Sequence, residues 1–165
     1  SMLVVSNTSP VLNLALIGRL DLLQQQFDKI WLPQAVTDEL RIEEDLPGSV
    51  AVRHARQAGW LLSERVRDPV RVAILRRDLD GGEAEAIALA LQKHADWLLL
   101  DERDARRVAK SLGLKVTGVL GILLKARLDG QLPSLRGAMD QLRDVADFRI
   151  GAALYAELLQ AAREV

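Results

Sequence analysis

The chain has 165 residues, 49% hydrophobic and 27% charged, with only 5 Pro and 11 Gly, a composition that excludes a disordered, collagenous or low-complexity protein. At 18.2 kDa it can bury about two-thirds of the surface its unfolded chain exposes, the scale of one ordinary domain spanning 1–165. The absence of Cys excludes disulfides, zinc–thiolate and iron–sulfur sites and thiol catalysis, and a net charge of −1 gives phosphate no global attraction, so any nucleic-acid contact needs a local basic patch.

Short apolar runs rich in Val, Leu and Ile alternate with segments of helical periodicity, the pattern of parallel strands joined by crossover helices, so the expected fold class is α/β. The first run, Leu3-Val4-Val5, stops at Ser6-Asn7-Thr8-Ser9-Pro10, where Ser9 can cap a helix and Pro10 can take its first position. Residues 19–26 predict a short helix, Lys29–Leu32 a second strand, and Pro33 opens a helix to about Leu40. Arg41 to Gly48 reads as loop. Helical stretches at about 49–58 and 69–78 flank Trp60-Leu61-Leu62, which is a strand or a buried connection.

Gly81-Gly82 leads into a helix through Lys93 with almost no polar face, which implies a central, buried position. Trp97–Leu100 is the clearest strand and ends at Asp101. A charged helix from about Glu102 to Leu112 follows, then a short strand at Leu114–Val116 and a helix over about 118–129 closed by Gly130. Two further helices, near 133–144 and 151–163, flank Phe148-Arg149-Ile150. No internal repeat or linker interrupts the chain, so the C-terminal helices are expected on the same core. The apolar runs are too short for a membrane span, no basic stretch precedes an apolar one at the N-terminus, and Ser1 before Met2 reads as a cloning remnant. The expectation is a soluble, cytoplasmic protein without membrane association.

In an open parallel α/β sheet, ligands collect beyond the carboxyl ends of the strands. That directs attention to Asn7 and Asp101, each at a strand end, and to Glu39 and Glu83, on helices that the topology can bring to the same edge. Carboxylates with no Lys or Arg beside them repel one another and are tolerated chiefly around a hard cation such as Mg²⁺ or Mn²⁺. Local roles are also available. Asp101 with Asp104 can cap the following helix, Glu83 in a first turn is favoured by the macrodipole, and Asn7 can serve as a turn residue. Glu39 has no such role, because late in its helix it gains nothing from the dipole and borders the apolar face. Its neighbour Asp38, and Glu85 beside Glu83, read as solvated or capping acids.

Other chemistries lack their residues. Neither G-x-G-x-x-G nor G-x-x-x-x-G-K-[ST] occurs, and with no G-x-S-x-G and only His54 and His94 a serine-triad hydrolase does not fit. Six aromatic residues are too few and too scattered to form a base-stacking surface, and the three Trp, on or beside strands, read as core. Basic residues do gather: Arg65, Arg67, Arg71, Arg76 and Arg77 precede Gly81, and Arg103, Arg106, Arg107 and Lys110 share one helix face. That second face can lie along a phosphate backbone, or be a solvated face paired with Glu102 and Asp104.

Four segments in order, Ser6-Asn7-Thr8-Ser9-Pro10, Asp38-Glu39-Leu40, Gly82-Glu83-Ala84-Glu85-Ala86-Ile87-Ala88 and Leu99-Leu100-Asp101-Glu102-Arg103-Asp104-Ala105-Arg106, together resemble a PIN domain. The resemblance runs from Leu3 to about Leu159, and is to the prokaryotic PIN-like group long carried as a domain of unknown function and related to VapC-type toxins. It implies a three-layer α/β/α sandwich on a parallel sheet and a Mg²⁺- or Mn²⁺-dependent endoribonuclease. Its catalytic acids would be Glu39, Glu83, Asp101 and Asp104, with Asn7, Glu39, Glu83 and Asp101 around the metal and Thr8 and Ser9 bonding to them. RNA, single-stranded or structured, would lie on Arg103, Arg106, Arg107 and Lys110. The implied protein partners are a cognate antitoxin and a second copy of the chain in a homodimer. One position departs from the family: PIN nucleases usually carry aspartate where this chain has Asn7, whose amide oxygen can ligate a hard cation but adds no charge and so weakens the site. A catalytically weak or inactive PIN-like module that binds a protein partner or RNA is therefore the alternative. A small-molecule phosphohydrolase or receiver-like domain would need an early aspartate nucleophile, which residue 7 is not.

Overall fold

The structure, a computed structural model, describes residues 2–165; Ser1, read above as a cloning remnant, lies outside the described residues. Five strands, β1 (Val4–Ser6), β2 (Ile30–Pro33), β3 (Leu61–Glu64), β4 (Trp97–Leu99) and β5 (Val116–Thr117), form one all-parallel sheet in the order β3-β2-β1-β4-β5. The helices in chain order are α1 (Thr8–Leu16), α2 (Asp21–Phe27), α3 (Gln34–Glu39), α4 (Ser49–Gln57), α5 (Pro69–Leu75), α6 (Gly81–Lys93), α7 (Arg103–Ser111), α8 (Val119–Leu128), α9 (Leu135–Ala146) and α10 (Ala152–Ala161).

Strand alternation sends neighbouring side chains to opposite faces. Val4, Ile30, Leu32 and Leu99 join a larger core with residues of α1, α2, α4, α8, α9 and α10, whereas Val5, Leu98 and Leu100 join a smaller one with α6 and α7. The result is the three-layer α/β/α sandwich expected from the sequence. Leu135, Met139 and Leu142 of α9 and Leu159 of α10 belong to the larger core, so both C-terminal helices pack on it. Among the described residues no helix is long and apolar enough to cross a membrane.

The chain builds outward from β1 to β3 and then crosses back to β4, so the strand order reverses between β1 and β4. That reversal is where doubly wound sheets open a crevice. Val4 pairs with Trp97, Val5 with Leu98 and Ser6 with Leu99. The Asn7 N–H extends the ladder by one bond, donating to the Leu99 carbonyl at 2.9 Å.

Three expectations shift. Ser9 does not cap α1: the helix begins at Thr8 behind Asn7, because the Ser9 hydroxyl is used across the crevice instead. Pro10 then falls third in the helix, still within the first turn, where a backbone N–H has no intrahelical partner to lose. Trp60–Leu62 resolves into the edge strand β3, displaced to Leu61–Glu64 by its register against Ile30–Pro33. The strand expected at Leu114–Val116 is Val116–Thr117, because the pairing partners available on β4 are Leu98 and Leu99.

α6 packs on the sheet through Ala86, Ile87, Leu89 and Ala90, all fully buried with Val5, Leu98 and Leu100, so the two alanines mark where the backbone comes close. A larger side chain has nowhere to go. Ala86→Leu is expected to cost about 1–3 kcal/mol through overpacking, read as a lower urea midpoint. An Ala86→Leu variant as stable as the parent would contradict this close approach.

Candidate active site

Three elements meet at the crevice beyond β1 and β4. The first turn of α1 supplies Thr8 and Ser9, the end of α3 supplies Glu39, and the start of α6 supplies Glu83; Asp101 lies two residues past the end of β4. Together with Asn7, these residues line one cleft of about 460 Å³ that also includes Asp80, Glu102, Asn13, Leu12 and Phe148, and no Lys or Arg.

Each acid is held by a specific donor. The Thr8 hydroxyl donates to Glu39 Oε2 at 2.6 Å. The Ser9 hydroxyl donates to Asp101 Oδ2 at 2.7 Å, and Asn13 Nδ2–H donates to Ser9 Oγ at 2.9 Å. Because the Ser9 oxygen already accepts from the amide, its proton is directed at Asp101. The other oxygen of Asp101 accepts the Val119 N–H at 2.7 Å, which satisfies a first-turn donor of α8. Glu83 forms a capping box with Asp80: Glu83 N–H donates to Asp80 Oδ1 at 2.8 Å and Asp80 N–H donates to Glu83 Oε1 at 3.0 Å.

Two glycines make room for these groups. A Cβ on Gly82 would lie 2.6 Å from Glu39 Oε1 and 3.2 Å from Asn7 Oδ1, and a Cβ on Gly118 would collide with Asp101 Oδ1. Asn7 Oδ1 and Glu39 Oε1 thus face the same bare backbone. Asn7 is 7% exposed and its Oδ1 has no hydrogen-bond partner. A buried acceptor without a donor is costly, which suits an oxygen meant for a ligand.

Electrostatics follow from five carboxylates in one cleft. Burial pushes the Glu83 carboxyl above its ordinary value, and repulsion from Asp80, Glu102 and Glu39 adds to that, against the lowering effect of the Asp80 N–H. Burial also raises Asp101, outweighing the Val119 N–H, the Ser9 hydroxyl and the charge of Arg106. Among the described residues no three His, Cys, Asp or Glu side chains converge closely enough to hold an ion between them. Asn7 Oδ1, facing Glu39 Oε1, adds a neutral oxygen donor to those carboxylates.

The remaining residues sort themselves by contact. The Asp101–Asp104 capping pair does not form: Glu102 caps α7, its Oε2 accepting the Ala105 N–H at 2.9 Å. Asp104 lies outside the cleft lining, exposed and 3.5 Å from Arg107. Glu85 accepts the Ala35 N–H at 3.0 Å and so caps α3 from a distance, while Asp38 accepts from Gln34 at 2.8 Å; neither enters the cleft. Arg103, Arg106, Arg107 and Lys110 do come together, lining a second cavity of about 390 Å³ that shares Asp101 with the acidic cleft. Arg106 is fixed there by donating to the Leu100 carbonyl at 2.9 Å. The sequence reading missed Asn13, Gly82, Gly118, Glu102 and Asp80; only the Asp80-x-x-Glu83 spacing carried a usable signal, that of a capping box.

A family model described as a PIN domain matches residues 3–164. Among solved structures, the chain is similar to a PilT N-terminus domain protein from the hyperthermophilic archaeon Sulfolobus solfataricus P2, 16% identical with a TM-score of 0.53, over 76% of this chain and 93% of that one. At that identity the likeness is one of fold. No curated protein matches the chain.

A carboxyl whose value is raised by folding contributes stability below its unfolded value that is lost as pH rises through the folded one. For Glu83 the loss begins near the ordinary glutamate value of 4.5 and extends upward. Glu83→Gln keeps the acceptor for Asp80 N–H and removes the charge. In EDTA it should melt with the parent at about pH 4 and above it at pH 7, the gap opening as pH rises. A gap independent of pH, or a parent more stable than the variant at pH 7, would contradict the reading of the cleft as a crowd of uncompensated acids.

Proposed function

The chain belongs to the PIN-domain family, whose members are generally nucleases, and from that membership we propose that it is a Mg²⁺- or Mn²⁺-dependent endoribonuclease of the PIN/VapC toxin type, hydrolysing RNA phosphodiester bonds. The observation that carries this reading is Asn7 Oδ1: a buried oxygen without a donor, facing Glu39 across Gly82 and sharing a cleft with Glu83 and Asp101. All four groups are hard oxygen donors, and no thiol or imidazole lines the cleft, the donor chemistry that suits Mg²⁺ or Mn²⁺.

Asn7, Glu39, Glu83 and Asp101 would hold the cation, the three carboxylates drawing together around it, whereas Asp104, exposed beside Arg107 and outside the cleft lining, would take no part in holding it. When bound, such an ion supplies a water of lowered pKa and neutralises charge developing on the phosphate. The protein's own groups do the positioning. Thr8 fixes Glu39, Ser9 and Val119 N–H fix Asp101 from both sides, and the capping box anchors Glu83. The cavity of Arg103, Arg106, Arg107 and Lys110 borders Asp101 and offers phosphates of the same strand a cationic groove in which Arg106 is preset.

A second reading has an observation of its own. Asn7 adds no charge, and both oxygens of Asp101 already accept hydrogen bonds. This favours a catalytically weak or inactive PIN-like module that binds RNA or a protein partner. An apolar groove of about 580 Å³ with Val70 and Ile74 of α5, Leu91 and Leu112 supports protein association, with a cognate antitoxin or a second copy in a homodimer as the candidates.

Purified protein is expected to cleave single-stranded RNA with Mg²⁺ or Mn²⁺ and not in EDTA, and Asp101→Asn is expected to lower the rate by about a hundredfold or more. Activity that survives EDTA, or equal rates for parent and variant, would contradict the metal-dependent reading. Asn7→Asp restores a charge beside the cation and adds a like charge to Glu39, Glu83 and Asp101. Calorimetric Mn²⁺ titration should show affinity rising about tenfold or more, while melting in EDTA should fall. If neither quantity moves, position 7 is not in a metal site.

A further inference from the structure

One stretch of the acidic cleft is apolar. Phe148, with Leu12, lines the same space as Asn7, Glu83 and Asp101. The position of the ring is set by the end of α9. Asp147 turns the chain at φ +53°, and the Phe148 N–H donates back to the Leu142 carbonyl at 3.0 Å. The chain past this left-handed residue is thereby folded back onto α9, six residues behind it. Phe148 does pack against the larger core and yet stays partly exposed. The ring therefore reaches the cleft already immobilised, so little rotamer freedom is lost when something lies on it.

An apolar ring beside a cluster of carboxylates does nothing for a bound cation and nothing for an isolated phosphate. It fits a ligand that carries a phosphate and a flat apolar face a few ångströms apart, which is one nucleotide unit. Resting on the ribonuclease reading of this cleft, we propose that Phe148 stacks on a nucleobase next to the phosphate that a cation at the acids would hold, and so selects single-stranded nucleic acid. Bases in a duplex are stacked on each other and their faces are covered, whereas every unpaired base offers a π-face, so the selection is for an open strand and not for a base sequence. The cleft, at about 460 Å³, is of the size of a small-ligand site and not of a duplex groove.

The test is equilibrium binding of a fluorescent single-stranded oligoribonucleotide, and of the same backbone with abasic positions throughout, in Ca²⁺ so that the strand is not consumed. Parent, F148L and F148W are compared, with melting temperature as the check on folding. On the base-bearing strand F148L should bind about tenfold more weakly and F148W as tightly as the parent or tighter. On the abasic strand all three should bind alike and more weakly than the parent binds bases. Parental affinity of F148L for the base-bearing strand would overturn the stacking role and leave the ribonuclease reading standing. An equal loss by F148L on both strands would overturn it as well, because that is a change of cleft shape. If F148L melts early, F148W decides alone: weaker binding of the base-bearing strand overturns the proposal. A parent that binds neither strand overturns this proposal together with the RNA reading.

Discussion

A single backbone hydrogen bond, Asn7 N–H to the Leu99 carbonyl, carries the parallel pairing of β1 with β4 one residue past the strand and into the crevice. It fixes where α1 begins and therefore where its first side chains point. With Asn7 tied down, Thr8 and Ser9 occupy the first turn and reach in different directions, one to Glu39 and the other to Asp101. The two acids lie on segments far apart in the chain, and the same turn of helix holds both. A slip of one residue in the β1–β4 register would turn Ser6 and Asn7 to opposite faces and disband the cleft.

The cleft gathers acids with no Lys or Arg in its own lining, and Arg106, from the neighbouring cavity, acts on Asp101 alone. Hydrogen bonds offset part of the repulsion, and the bonding is divided so that Asp101 accepts from a backbone N–H and a hydroxyl, and Glu83 from the backbone N–H of Asp80. What remains is visible in the raised carboxyls of Glu83 and Asp101 and in the unpartnered oxygen of Asn7. A fold keeps such an arrangement at a cost to stability when a ligand recovers that cost on binding. The amide at position 7 lowers the charge of the cleft without changing its shape, so it reduces the repulsion in the empty protein and the attraction for a cation together.

Much of this was legible in the chain. The apolar runs through β1 and β4 and the alanine-rich α6 are buried, and burial of that kind leaves a strong hydrophobic signal. Asn7 and Asp101 stood out because each ends such a run, and Glu39 because its position in α3 offered no local reason for a carboxylate. The edge strands were blurred, since β3 and β5 are short and their bounds are set by partners on β2 and β4. Local pattern also misassigned the start of α7: Asp101 and Asp104 have capping spacing, but Asp101 is drawn away by Ser9, 92 positions earlier, and by Val119, 18 later, leaving Glu102 to cap. Gly82 and Gly118 act only through distant contacts, with Glu39 and Asp101, and Asn13 acts through Ser9, whose own partner Asp101 is distant; Phe148 meets the cleft only in the folded chain. Nothing in their neighbours along the chain distinguishes them from an ordinary helix asparagine, two turn glycines and a core aromatic.

The central claim is that the reversal of strand order between β1 and β4 builds one oxygen site for a hard cation. Crystals soaked in Mn²⁺ and measured at the manganese absorption edge test it most directly. The account predicts one anomalous peak in the acidic cleft, within coordinating distance of Asn7 Oδ1 and of carboxylate oxygens from Glu39, Glu83 and Asp101. A cleft without a peak, with the side chain of Arg106 or another cationic group lying among those oxygens instead, would contradict it.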